Sequence, residues 1–356
     1  MNASPSQPHP AEWTETQGLL PSAERDLPAG RHQLHKEQMM AQIHEDLRVS
    51  SRTSPAVPPK RPNPFLRPTI LLPAMAFALA GAVVGGLALT GGGSDGGATA
   101  LATGPALTTR IGTADAKGAP QLLGRISLAA TTSAPTPHQG QYVYITSKVA
   151  STHYREDGDD SKVVSDKLHS RQVWNSLDGK DGWLIEAGET SGKGITLAGK
   201  IPSASAYSTL ARLPTDPDAL LQRIYRQSDA HRDAEVPRDQ AAFVAIGDLL
   251  TESYPPAKVS AALYRAAVNI PGVVAVDDAT DAMGRHGVAI ARENPADGER
   301  TEWIFDKTTL QFLGQRSVVV KKVAGSAFKV GTVTITSAIT DRSIVDANKQ
   351  IPGQVI

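Results

Sequence analysis

Lys plus Arg and Asp plus Glu balance at 36 each in a chain of 356 residues, so the net charge gives no sign of a nucleic-acid partner. The absence of cysteine excludes disulfides, thiol chemistry, cysteine-ligated metal and a lipoprotein anchor. The length leaves room for one or two domains.

Residues 1–30 are polar, rich in proline and without hydrophobic period, the composition of a disordered segment. After the Pro28-Ala-Gly30 break, Arg31 to Val49 holds no proline or glycine and predicts a helix. Met39, Met40, Ile43 and Leu47 fall on one face of it. A lone helix of this length builds no core, so the stripe meets a partner protein or the membrane surface, or it stays solvated. Methionines suit an adaptable protein contact. His32, His35 and His44 are not at i, i+4 from one another, so no metal site is expected there. Ser50 to Pro68 carries six prolines and reads as an extended basic tether, closing a cytoplasmic segment of residues 1–68.

Residues 69–90 (TILLPAMAFALAGAVVGGLALT) carry no charge. As a helix these 22 residues would rise about 33 Å, enough for a hydrocarbon core of about 30 Å. Backbone in lipid must bond to itself, which favours a single transmembrane helix. Pro73 lies near its start, where a missing N–H does least harm. Arg48, Arg52, Lys60, Arg61 and Arg67 precede the span, whereas Asp95 follows it and the next cation is Arg110. The positive-inside rule then puts the N-terminus in the cytoplasm and the C-terminal part outside the plasma membrane. A cleaved signal peptide would need a 68-residue region before its apolar core, far too long for an ordinary one. Gly81-Ala-Val-Val-Gly85 is a GxxxG pattern, a route to close helix pairing and a homodimer.

Residues 91–138 are rich in Gly, Ala, Thr and Pro and read as a flexible linker, with a short helix at 119–130. The outer domain is then 139–356. Gln141 to Val149 is aromatic and β-branched, a strand. Arg155 to Asp160 makes a polar hairpin loop; as a calcium loop it would need glycine at its sixth position, which is absent, and glutamate at its twelfth, where Leu168 stands. Leu168 to Leu177 and Trp183 to Glu186 pair around Asp178 to Gly182, with Trp174 and Trp183 as cross-strand partners. Gly188 to Lys193 is one residue short of a phosphate loop between its glycines. Three amphipathic helices follow. Asp216 caps the first before Pro217, and the faces are Leu220, Leu221, Ile224 and Tyr225; then Phe243, Ile246, Leu249 and Leu250; then Leu263, Ala266, Ala267 and Ile270. Strands return at 273–276, 287–292, 301–305, 310–322 and 330–339 as an antiparallel meander, giving an α+β fold.

The helix followed by Pro271 to Val274, Gly287 to Ile290, Trp303 to Asp306 and Leu310 to Val320, together with Leu27 to His32, resembles an uncharacterised actinobacterial family of single-pass membrane proteins. Such proteins are often encoded beside extracytoplasmic-function sigma factors. The outer domain also resembles the half-open β-barrels of lipoprotein carriers and of periplasmic regulators of anti-sigma factors, which implies a curved sheet clasping helices over an apolar cleft. The resemblance implies an anti-sigma-like regulator whose outer domain senses an apolar or envelope ligand and whose residues 31–49 engage a sigma factor or another protein. The alternative is an anchored lipid- or hydrophobe-binding protein without cytoplasmic output. His153, His169 and His286 form no constellation, and no Ser–His–Asp pattern, paired acids at a helical spacing or metal cluster stands out. Neither an enzyme nor a cofactor is expected.

Overall fold

Each β-strand presents its side chains alternately to two faces, and both faces of this sheet have apolar residues to cover. The structure, a computed structural model, describes residues 87–90 and 101–353 apart from 132–134, 158–159, 191, 200–202, 231 and 234–235. In chain order the elements are β1 Leu87–Thr90, β2 Thr103–Pro105, β3 Ala114–Asp115, α1 Ala119–Ala130, β4 Tyr142–Asp157, β5 Asp160–Asp166, β6 His169–Ser176, β7 Asp181–Glu186 and β8 Ile195–Gly199. There follow α2 Tyr207–Leu210, α3 Pro217–Asp229, α4 Arg238–Glu252, α5 Ala257–Ala267, β9 Val273–Thr280, β10 His286–Asn294, β11 Glu299–Asp306, β12 Phe312–Val319 and β13 Val333–Val345. The sheet order is β1-β8-β7-β6-β4-β13-β12-β11-β10-β9-β3, with β5 on the far half of β4 and β2 on β5. Every one of these pairings is antiparallel. The fold is α+β, as the alternation of the meander implies.

The helices share one face of the sheet, the inner one. Asp216 caps α3 by accepting from the Ala219 N–H at 2.9 Å, and Pro217 opens the helix. Leu220, Leu221 and Ile224 of α3, Phe243 and Ile246 of α4, Leu263 and Ala266 of α5, and Leu123 and Ile126 of α1 form one core with Ile290, Trp303 and Phe305 of the sheet. That core fills the space between the helices and β9 to β11 with side chains.

α4 lies across the strands rather than along them. Its 15 residues span about 22 Å, close to the about 24 Å of five strand spacings from β10 to β6. Its contacts keep that order. Gln240 accepts from Arg292 Nη1 of β10 at 2.8 Å, Phe243 stacks on Trp303 of β11, and Arg342 of β13 donates to the Leu250 carbonyl. At the end, Glu252 lies 3.0 Å from Arg171 of β6. In the middle, Gly247 comes so near the sheet that a Cβ there would stand 2.5 Å from Trp303 Nε1 and 2.7 Å from Gln315 Oε1. Alanine ordinarily gains about 1 kcal/mol over glycine inside a helix. Here Gly247→Ala is expected to lose about 1–3 kcal/mol through overpacking. A urea midpoint that moves upward would disprove the close approach.

Two expectations of chain organisation need correction. Leu87–Thr90 is not the last turn of a helix: it pairs with β8, Leu87 opposite Gly199 through Thr90 opposite Thr196. Gly85 and Gly86 immediately before it disfavour helix continuation. Residues 69–86 lie outside the described residues, and among the described residues no helix is long and apolar enough to cross a membrane. The second correction concerns the linker. From residue 101 onward the chain is built into the domain: β2 pairs β5, β3 pairs the edge strand β9, and α1 packs on α5 with Ser127 Oγ donating to the Ala261 carbonyl at 3.1 Å. The outer face of the sheet has apolar residues of its own, among them Val276, Ala289, Ala291 and Ile304, and the 106–113 segment crosses on that side.

Candidate functional site

The inner face carries its charges where the last turns of α4 meet β6, β7 and β13. Along β6 alternate residues share a face, so His169 and Arg171 both point inward. Arg171 reaches Glu186 of β7 and Glu252 of α4, each at 3.0 Å. The Nε contact with Glu186 is an ion pair without hydrogen-bond alignment. His169 Nε2 stands 3.5 Å from Glu186 Oε1, and its Nδ1 stands 3.1 Å from the Lys167 carbonyl. The side chains of this chain of charges are only 8–14 % exposed. It ties two strands to one helix with the signs alternating.

Asp248 lies one helical turn before Glu252. Burial pushes its carboxyl up to about 7, the Glu252 charge adds to that, and Gln315 of β12 works the other way. Glu252 is also raised, first by burial and further by Glu186, against the pull of Arg171 and Arg342. For His169, burial disfavours the charged ring, but the hydrogen bond to Glu186, the Lys167 carbonyl and the Glu186 and Asp166 charges outweigh it and raise its pKa. Burial lowers Arg342, which faces Glu252, Tyr254 and Tyr264, and its Nε has no hydrogen-bond partner.

A second buried network lies on the outer face. Glu302 of β11 is fully buried between Arg300, with Nη2 at 2.6 Å, and Arg316 of β12, with Nε at 2.6 Å. The arginines also hold the segment crossing above them: Arg300 donates to the Gly112 carbonyl at 3.2 Å and Arg316 to Thr109 Oγ1 at 2.8 Å. This network is a structural pin.

No protein-family model and no curated protein matches the chain. The functional case therefore stands on topology and on this geometry.

The sequence-predicted positions divide sharply. Met39, Met40, Ile43 and Leu47, and the pairing glycines Gly81 and Gly85, lie outside the described residues. The three histidines are far apart in role: His153 faces Asp166 at 3.9 Å, His286 faces Asp278 at 3.1 Å, and His169 joins the inner-face charges. Trp174 and Trp183 are direct cross-strand partners, and the C-terminal residues cover them, with Trp174 Nε1 donating to the Gln350 carbonyl at 2.7 Å. Among the described residues no three His, Cys, Asp or Glu side chains gather as metal ligands. Sequence reasoning passed over Asp248 and Glu252, because acids at i, i+4 on a helix look like two surface acids. Only the crossing of α4 over β6 turns them inward.

Proposed function

We propose that the chain is a single-pass membrane regulator of anti-sigma-like type. Residues 69–86 cross the plasma membrane, the domain described above stands outside, and residues 31–49 engage a sigma factor in the cytoplasm through Met39, Met40, Ile43 and Leu47. The observation that carries this is the asymmetry of charge about the apolar stretch, with five cations before it from Arg48 to Arg67 and none after it until Arg110. An α+β domain follows the stretch, and the sequence before it carries a short amphipathic pattern at 31–49. The inner face of that domain is closed by packed core and ends in a cluster of titratable side chains, as suits a domain that responds to its surroundings.

A second reading has its own observation. An open groove of about 670 Å³ lies between β2, β5 and residues 327–332, its apolar wall of Pro105, Ala106, Val163, Val164 and Ala327 rimmed by Lys162, Lys329 and three threonines. It fits an anchored hydrophobe-binding protein without cytoplasmic output.

Calorimetry separates the two. The full-length chain in lipid nanodiscs is expected to bind the sigma factor encoded nearest its gene. A Met40→Glu/Ile43→Glu variant is expected to bind at least about tenfold more weakly, a loss of about 1.4 kcal/mol. No binding by the unsubstituted chain at high micromolar concentration would remove the regulator reading and leave the second.

A further inference from the structure

We infer that His169, Glu186, Arg171 and Glu252 form a proton-operated clasp between α4 and the sheet, so that the condition the outer domain reads is pH. The inference rests on the regulator reading for its purpose and on the geometry of the inner face for its chemistry.

His169 is placed between two acceptors. Its Nδ1 faces the Lys167 carbonyl at 3.1 Å and its Nε2 faces a Glu186 carboxylate oxygen at 3.5 Å. Neutral imidazole has one N–H and can serve only one of them; the imidazolium serves both. Glu186 passes the effect on, because the same carboxylate is paired with Arg171, and Arg171 is the group that holds Glu252 at the end of α4. With His169 charged and Glu252 ionised, two cations and two carboxylates alternate; Glu252 is itself raised by burial, so its own protonation sets the acid limit of that state. With His169 neutral, Arg171 is the one cation left between the two glutamates, and Arg342 faces only Glu252.

The helix side changes in the same sense. Asp248 sits one turn from Glu252 on α4, and its ionisation places a second negative charge beside it. The groups facing this contact from the other elements are Asp166 of β5 and the exposed Glu189 of the β7–β8 turn near His169, Arg342 of β13 near Glu252, and Gln315 of β12 near Asp248. Rising pH thus removes a positive charge from the sheet side and adds a negative charge to the helix side.

The sign follows from linkage. His169 is raised above its ordinary value of about 6.5, so its contribution is complete below that pH and is lost as pH rises through the folded value. Asp248 is raised from 3.8 to about 7, so the folded state holds the extra proton and stability falls with pH across that window. Both favour a closed clasp in mild acid and a loosened α4 terminus above neutrality. Glu299 of β11, also pushed up to about 7 by burial, adds a slope of the same sign far from the clasp, so global melting cannot isolate it.

The test is amide hydrogen exchange of the full-length chain in nanodiscs at pH 5.5 and 8.0, corrected for intrinsic rates. Protection of residues 247–254 is expected to fall at least tenfold at pH 8.0 relative to residues 300–305. In Asp248→Asn/His169→Gln the difference is expected to shrink below twofold. Equal protection of the unsubstituted chain at both pH values, or an undiminished difference in the variant, overturns the clasp. If the variant does not fold, imidazole C2–H exchange on the unsubstituted protein decides: a His169 pKa above 6.5 supports the clasp, and one at or below it overturns it. Exchange is read with no partner present. Flat protection therefore overturns the clasp and leaves the regulator, whereas failure to bind the sigma factor overturns the regulator and leaves the clasp.

Discussion

Glu302→Gln is expected to cost about 3–5 kcal/mol, because it leaves two buried arginines without their counter-ion. Glu302 has no solvent exposure, and Arg300 and Arg316 keep only 6 % and 2 % of their side-chain surface. Neither cation can rehydrate without opening the sheet. The loss would extend to the segment above, since Gly112 and Thr109 are held by the same two guanidinium groups. Urea denaturation measures the cost, and limited proteolysis within residues 106–113 should quicken with it. The pair of signs makes a second comparison informative. Arg300→Met/Glu302→Leu/Arg316→Met removes every charge at once, and apolar replacement of such triads is often near neutral. It should therefore recover most of the stability lost by Glu302→Gln. A loss below about 1 kcal/mol in the single variant would mean that the network is hydrated, contrary to the geometry.

Trp303→Ala is the other large effect, with an expected loss of about 3–5 kcal/mol. Trp303 is fully buried and stacks on Phe243 with ring centroids 3.9 Å apart and planes within 5°. It is the point where α4 rests on β11, so truncation opens a cavity under the helix that crosses most of the sheet. Against a typical domain stability of about 5–15 kcal/mol, such a loss is a large fraction of the whole. Trp303→Phe should cost much less, because it keeps the ring and removes an indole N–H that has no partner. A double-mutant cycle with Phe243→Ala should show coupling, since the two rings share one contact. Independent, additive losses would show that the stack contributes nothing beyond burial.

The fold class was legible because its signals are local. Aromatic and β-branched runs between turn signals located β4, β6, β7 and β9 to β13, although β4 runs on to Asp157 and β13 to Val345, and Asp216 before Pro217 marked the start of α3. The faces of α3, α4 and α5 read from spacing are buried, except that Leu249 is only partly covered and Ile270 lies in the turn after α5. Low-complexity composition misled where burial comes from elsewhere. Residues 101–115 look like spacer, yet their backbone finds partners on β5, β9 and the Gly331 and Val333 region. Leu87–Thr90 reads as the tail of an apolar run until β8 is there to pair with it. β8 itself was missed because its short run is broken from β7 by glycine-rich turns.

The sequence by itself determined the α+β class, the helices and their buried faces, the local hairpins and the charge asymmetry about residues 69–90. The tertiary structure alone decided that β13 inserts beside β4, that α4 crosses five strand spacings, and that Glu302 and the His169–Glu252 chain of charges are buried. The physical reason is range. Propensity, capping and periodicity act between residues a few positions apart, so they can be read along the chain. Pairing of Ile335 with Ser151, or of Arg171 with Glu252, is chosen by which distant surfaces can be covered together, and that choice is made only when the chain closes.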